Sequence, residues 1–180
     1  MPELILVCLQ VLLGFLYANG VEWVVHKYGF HGLGRHKGHW LSSHWHHHHS
    51  IVRKTRGYDT AYLLPIKDSN GSRKEILELF FMALLHVPLF WFIPYFAATL
   101  WVHAIVYFLI HRQSHINPEW AKKYVPWHYD HHMSKNQHAN WCVTVPIWDH
   151  ILNTRVYYLG TSDYTLDENR YARRRRDSND

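Results

Sequence analysis

Cysteine is nearly absent from this chain, with two thiols in 180 residues. That scarcity excludes a disulfide scaffold and thiolate-rich zinc modules. Formal charge is also scarce, at 18% of residues, while aromatics reach 16%. The combination excludes intrinsic disorder, which needs few aromatics and much charge. No fixed-period repeat is visible, and the length suits one domain. A nucleic-acid-binding role needs a basic face on a folded domain, which the sequence does not show. Asp, Glu, Lys and Arg are missing altogether from residues 4–21 (LILVCLQVLLGFLYANGV) and from residues 79–110.

The first of these stretches approaches the roughly 20 apolar residues of one bilayer crossing. Its flank, Met1-Pro2-Glu3, is acidic where a signal peptide is basic, so we read a retained helix. The second stretch as one helix would measure about 48 Å, against a hydrocarbon core of about 30 Å. Pro88 and Pro94 interrupt it. The expectation is a hairpin with legs near 74–92 and 95–115, short enough to reach only part-way across. The fold expected is all-α: an integral membrane protein with about three membrane segments, one N-terminal helix plus a hairpin. Residues 53–75 read as a polar connector. Nearly all Lys and Arg fall in residues 26–73 and 111–180. The positive-inside rule puts those segments on the cytoplasmic face of a bacterial inner membrane or an ER-type membrane. Residues 1–160 are expected to form the membrane domain. Residues 161–180, with Arg173 to Arg176, are expected to be a disordered basic tail near anionic head groups.

What the chain has in abundance is histidine, 18 residues of 180. The histidines cluster as His26-x4-His31, His44-x2-His47-His48, His111-x3-His115 and His128-x2-His131-His132. Residues i and i+4 share a helical face, so His111 and His115 can aim at one point. Each H-x2-H-H then makes a three-pronged claw. His26 and His31 would diverge by about 140° on a regular helix. Gly29, Gly32 and Gly34 suggest that the helix ends or bends there. These clusters exceed what one ion needs, and two ions sharing the imidazoles is the economical reading. Imidazole suits iron, zinc, copper and nickel alike. All four motifs gather at one membrane face, where a metal centre can reach an apolar substrate.

The order H-x4-H, H-x2-H-H, hairpin, H-x3-H, H-x2-H-H resembles the fatty acid hydroxylase / sterol desaturase superfamily of integral-membrane di-metal oxygenases. The likeness covers residues 26–153 and includes Trp148-Asp149-His150. The resemblance implies a cytosolic His-rich helical cap holding a dinuclear site. It places metal ligands, acting in catalysis through the metals, at His26, His31, His44, His47, His48, His111, His115, His128, His131 and His132. It implies two iron ions, with zinc able to occupy the site in isolated protein, molecular oxygen, and an external electron donor. A lipid C–H bond would be hydroxylated, or the lipid desaturated. No fused cytochrome domain is present, so a separate reductase system would be the partner.

Asp130, His138, Asp149 and His150 are candidates to orient the ligand rings, as is Glu22. In the run from His44 to His49 another register is open, with His46 in place of His47 or His48. His36 and His39 read as solvated loop residues. His86 and His103 lie inside the hairpin and read as neutral, hydrogen-bonded side chains without a role. The exposed apolar hairpin leaves room for a homodimer. The competing function is a metal-binding membrane protein without redox chemistry, such as a transporter fragment, sensor or assembly factor.

Overall fold

The computed structural model describes residues 2–177. Among them there is no strand, and helices linked by turns and loops make up the fold. Helix α1 (Pro2–Val24) runs straight into a π-helical turn (Val25–Phe30). A second π-helical turn (His44–His48) leads directly into α2 (His49–Lys54). There follow α3 (Thr60–Leu63), α4 (Asn70–Leu84) and a 3-10 turn at Val87–Trp91. Then come α5 (Pro94–Ile116), α6 (Pro118–Tyr124), α7 (Pro126–Met133), α8 (Ile147–Ile151) and α9 (Ser162–Asp177). The starts are locally encoded. Asp59, Ser69 and Asn117 cap α3, α4 and α6 by accepting from Ala61, Ser72 and Trp120 N–H. Proline opens α5, α6 and α7, where its missing N–H has no helical partner to lose.

Helices α1 and α5 run parallel, because Gly14 of α1 lies against Phe96 and Thr99 while Glu22 reaches His103. A Cβ on Gly14 would sit 3.0 Å from the Phe96 carbonyl oxygen and from Thr99 Cβ. The small stripe Gly14-x3-Ala18 is therefore what lets the two backbones meet. Gln10 caps α5 from the side, its Oε1 accepting from Tyr95 N and Phe96 N. That answers donors which an apolar environment would leave unpaired. Helix α4 runs back against α5, with Phe80 edge-on to Trp101 and Glu75 at His111.

Both α1 and α5 are long and apolar enough to cross a membrane, at about 34 Å each. Their outer faces are bare: Leu6, Leu13, Val102 and Ile105 are all more than half exposed. The first hairpin leg is short, as expected, and only two of the three expected membrane segments are long and apolar enough to cross. Helix α4 is about 22 Å long and carries Arg73, Lys74, Glu75 and Glu78, so it is not a span of its own. The aromatic tip, with Trp91 and Phe92 almost fully exposed, lies level with the middle of α1.

Beyond the long helices, α6 and α7 pack through Ala121, Val125 and Tyr129 around Tyr158. The tail is a second departure, since residues 162–177 are helical rather than disordered. Helix α9 is docked by the ring of Tyr164 against Tyr158, by Tyr158 Oη donating to Asp167, and by Arg56 pairing with Glu168. Local charge hid these contacts. Ser178 to Asp180 lie outside the described residues.

Candidate metal centre

Two groups of imidazoles converge where α1, α2, α5 and α7 meet. His26, His31, His44, His49 and His131 form the first. His48, His111, His115 and His132 form the second. Within each group, one ring nitrogen per residue lies within 4.8 Å of the others. His128 joins the second group through Nε2, 3.1 Å from Nε2 of His115. The groups abut, with the His49 and His132 rings 4.3 Å apart.

The π-helical turns explain the first group. In such a turn the hydrogen bond runs from i+5 to i, and N–H of His31 bonds the His26 carbonyl. N–H of His49 likewise bonds the His44 carbonyl. Residues five apart therefore share a face, and both pairs point inward. The regular helix does give way at Val25–Phe30, as the glycines suggested, and both His26 and His31 turn inward. The turn at His44–His48 corrects the register of the histidine run: the inward set is His44, His48 and His49. His47 is exposed and belongs to neither group, and His46 bonds the Arg35 carbonyl. The claw at His128, His131 and His132 is split as well, since His131 faces the first group and the other two face the second.

Hydrogen bonds on the far side of the rings fix which nitrogen is free. His26 Nδ1 donates to the Trp141 carbonyl at 2.7 Å, and His131 Nδ1 to the Ala139 carbonyl at 2.6 Å. His115 Nδ1 donates to the Gly57 carbonyl at 2.9 Å. His48 Nδ1 donates to Asp59 at 2.7 Å, and His111 Nδ1 to Glu75 at 2.6 Å. A carbonyl or carboxylate can only accept, so in the neutral form of each of these five rings the Nε2 lone pair faces inward. Nε2 of His48, His111 and His132 is buried without any partner. In the first group, Nε2 of His131 lies 3.1 to 3.2 Å from Nε2 of His49 and His31. The inward lone pairs of His26, His131, His48, His111 and His115 are answered by a cation between them, while Gln137 Nε2 donates to Nδ1 of His49 and places that ring's proton on Nε2 when no cation is bound. The donor set therefore fits metal ions, and imidazole nitrogen suits iron and zinc equally.

Electrostatics agree. Burial drives the ring pKa of His44, His49, His128 and His132 well below the ordinary value, and neighbouring rings push the same way. Burial lowers His131 to about 3. Neutral rings are the ligating form. Burial also lowers His48, although Asp59 opposes it. Burial raises the Asp59 carboxyl, but the His48 ring outweighs that and holds it low.

The side chains that orient the rings are mostly ones sequence did not mark. Asp59 and Glu75 touch the rings of His48 and His111 directly, and Tyr62 donates to Glu75 at 2.6 Å. Asp149 acts at one remove, accepting from N–H of Trp141 and Cys142 beside the Trp141 carbonyl that holds His26. Glu22 acts similarly, accepting from N–H of Val143 and Thr144. Asp130 pairs instead with Arg155 and accepts from Leu159 N, bracing α7 rather than a ring. His138 is exposed and stacks on Trp45, its ring 5.8 Å from His31. His150 is exposed and apart from both groups. Asp59 and Glu75 sit in the polar connector and at the start of the hairpin, far in sequence from the rings they hold.

A cavity of about 590 Å³ leads from the second group down between α1, α4 and α5. His44, His48 and His111 close one end, while Val21, Leu79 and Leu100 are among its apolar walls. Comparison with protein-family models, curated proteins and solved structures returned no match.

Proposed function

We propose that this chain is an oxygen-dependent membrane oxygenase of the fatty acid hydroxylase / sterol desaturase type, acting on a lipid C–H bond at a histidine-held di-iron centre. The observation that supports it best is a juxtaposition. Two abutting groups of neutral, inward-facing imidazoles close the end of an apolar cavity that opens between membrane-type helices. A hydrolytic zinc site would use fewer ligands and an open position beside a general base.

His26, His31, His44, His49 and His131 would hold one ion. His48, His111, His115, His128 and His132 would hold the other. Bound there, the iron pair supplies the one-electron chemistry by which molecular oxygen, with electrons from an external donor, attacks an unactivated C–H bond. The protein's own part is positional. Asp59, Glu75 and three backbone carbonyls hold the rings with Nε2 inward. The cavity keeps water from the reacting carbon and threads the chain past His48 and His111. We assign α1 and α5 as bilayer crossings and the short α4 leg with its aromatic tip as re-entrant. Residues 23–58 contain no Asp or Glu beside six Lys and Arg. That excess supports a cytoplasmic position for the centre, where a separate reductase system can reach it.

The test is a lipid mass-spectrometric comparison of host cells carrying wild type or the His131→Ala, His132→Ala pair, which takes one ligand from each group. Hydroxylation predicts a lipid lacking one oxygen in the variant, and desaturation one with two extra hydrogens. An unchanged lipid profile, with iron-loaded wild type present under air, refutes the reading.

A further inference from the structure

We propose that the cavity recognises a hydroxyl group on its lipid through Tyr107 and His103, so that its ligand is a long-chain aliphatic alcohol. This rests on the reading of the cavity as a lipid site. Most polar side chains reaching the cavity wall are answered by protein. Glu22 accepts from Thr144 and Asn19, and Glu75 from Tyr62 and His111. Lys74 donates to the Trp40 carbonyl and to Ser43. Tyr17 meets His86. Among the described residues Glu78 has only the Lys74 ammonium, 3.9 Å away, and Tyr107 has no partner at all. It lines the cavity, is 7% exposed, and its hydroxyl has no hydrogen-bond partner among the described residues. It is also missing from the buried, sealed-off polar atoms, so it opens on the cavity itself. An unanswered hydroxyl in an apolar, water-poor wall is unfavourable until a ligand meets it.

His103 supplies the complement. It too lines the cavity, at 8% exposed, and its Nε2 donates to Glu22 at 3.1 Å. In the neutral ring that bond leaves the lone pair on Nδ1, for which no protein donor exists among the described residues. His103, Tyr107 and His111 are spaced four apart on α5 and so lie on one face, about 6 Å per step. A donor and an acceptor thus sit one and two turns below a ligand of the metal centre. A hydroxyl both accepts and donates and can use both, whereas a methylene uses neither. A carboxylate is disfavoured, because Glu22, Glu75 and Glu78 all line the same cavity. The hydroxyl would sit about 6–12 Å along the helix axis from His111.

The test needs no turnover. Purified protein in nanodiscs is offered equal amounts of hexadecanol, hexadecane and hexadecanoate, and retained lipid is read by native mass spectrometry. Wild type is expected to favour the alcohol about tenfold over both others, the worth of one buried hydrogen bond. Tyr107→Phe removes no protein contact of the hydroxyl and should bring alcohol and alkane to parity without changing alkane retention. His103→Gln, which can still donate to Glu22, should cut the preference as well. Equal retention of alcohol and alkane by wild type overturns the proposal and leaves the lipid cavity standing. Preference for hexadecanoate, or a preference that survives Tyr107→Phe, also overturns it. Retention of none of the three refutes the lipid cavity and the proposal together.

Discussion

Glu75 offers a direct way to ask whether the second imidazole group is a metal site. One of its oxygens accepts from His111 Nδ1 at 2.6 Å, and the other accepts from Tyr62 at 2.6 Å. Glu75→Gln keeps the shape but turns a charge-assisted bond into a neutral one of about half the strength. Outer partners of metal-bound histidines are generally worth about 10–100-fold in affinity, or about 1.4–2.7 kcal/mol. The charge-only change belongs at the lower limit, so Glu75→Gln should weaken one of two binding events about tenfold. Glu75→Ala frees the His111 ring altogether and should weaken it about 100-fold. The other event should not move, because Glu75 makes no hydrogen bond to His26, His31, His44, His49 or His131. The assay is a zinc titration of chelator-stripped protein against a chromophoric competitor, fitted to two sites. Unchanged affinity would refute the orienting role. Equal weakening of both sites would show that Glu75 supports the fold and not one ion.

Further outcomes follow from the same geometry. His49→Ala should cost about one equivalent of bound metal by elemental analysis, while His47→Ala should cost none, because His49 is buried in the first group and His47 is exposed and in neither. Gly14→Leu drives a side chain into the Phe96 carbonyl and should lower the thermal midpoint in detergent, by about 1–3 kcal/mol of helix pairing. Metal-free protein should lose stability as pH falls through 6.5. Burial keeps His44, His49, His128 and His132 unprotonated in the fold, so the unfolded chain takes up protons there and the fold does not. The slope is about 1.4 kcal/mol per pH unit for each ring, and melting midpoints that stay flat between pH 7 and 5 would contradict it.

Much of this architecture was legible because charge is costly in apolar surroundings. The uncharged run 4–21 is α1, and the run broken by Pro88 and Pro94 is the hairpin tip and α5. The first hairpin leg was less legible. Its polar start, Arg73 to Glu75, overlaps the segment read as connector, yet it packs on α5, where Glu75 meets His111. The tail misled because its contacts are made across the fold, Arg56 to Glu168 and Tyr164 to Tyr158, which no local pattern records. The orienting groups were missed for the same reason. Asp59 lies 11 residues from His48 and Glu75 lies 36 from His111.

The register of the histidine run shows where helical spacing stops being a guide. A period of 3.6 makes i+3 and i+4 neighbours and sends i+5 away. On that rule His44 selects His47 and His48, and His26-x4-His31 looks like a broken pair. With one extra residue per turn, the preference moves to i+5. Two facts that looked unrelated then become one: His26 with His31, and His44 with His49, are the same spacing on two π-helical turns. Such turns are less favourable than an α-helix and recur at functional sites. Here they are sustained by what the rings do, since both pairs deliver their Nε2 atoms to one point, 3.0 Å between His31 and His49 and 3.1 Å between His26 and His44. Metal binding and helix type are therefore coupled in this reading. Removing the cation takes away the bonds that would tie the rings of both turns to one point. The π-helical segments should accordingly be the first parts of the cap to gain amide exchange when metal is stripped. Protection of Val25–Phe30 and His44–His48 that is indifferent to metal would break that link.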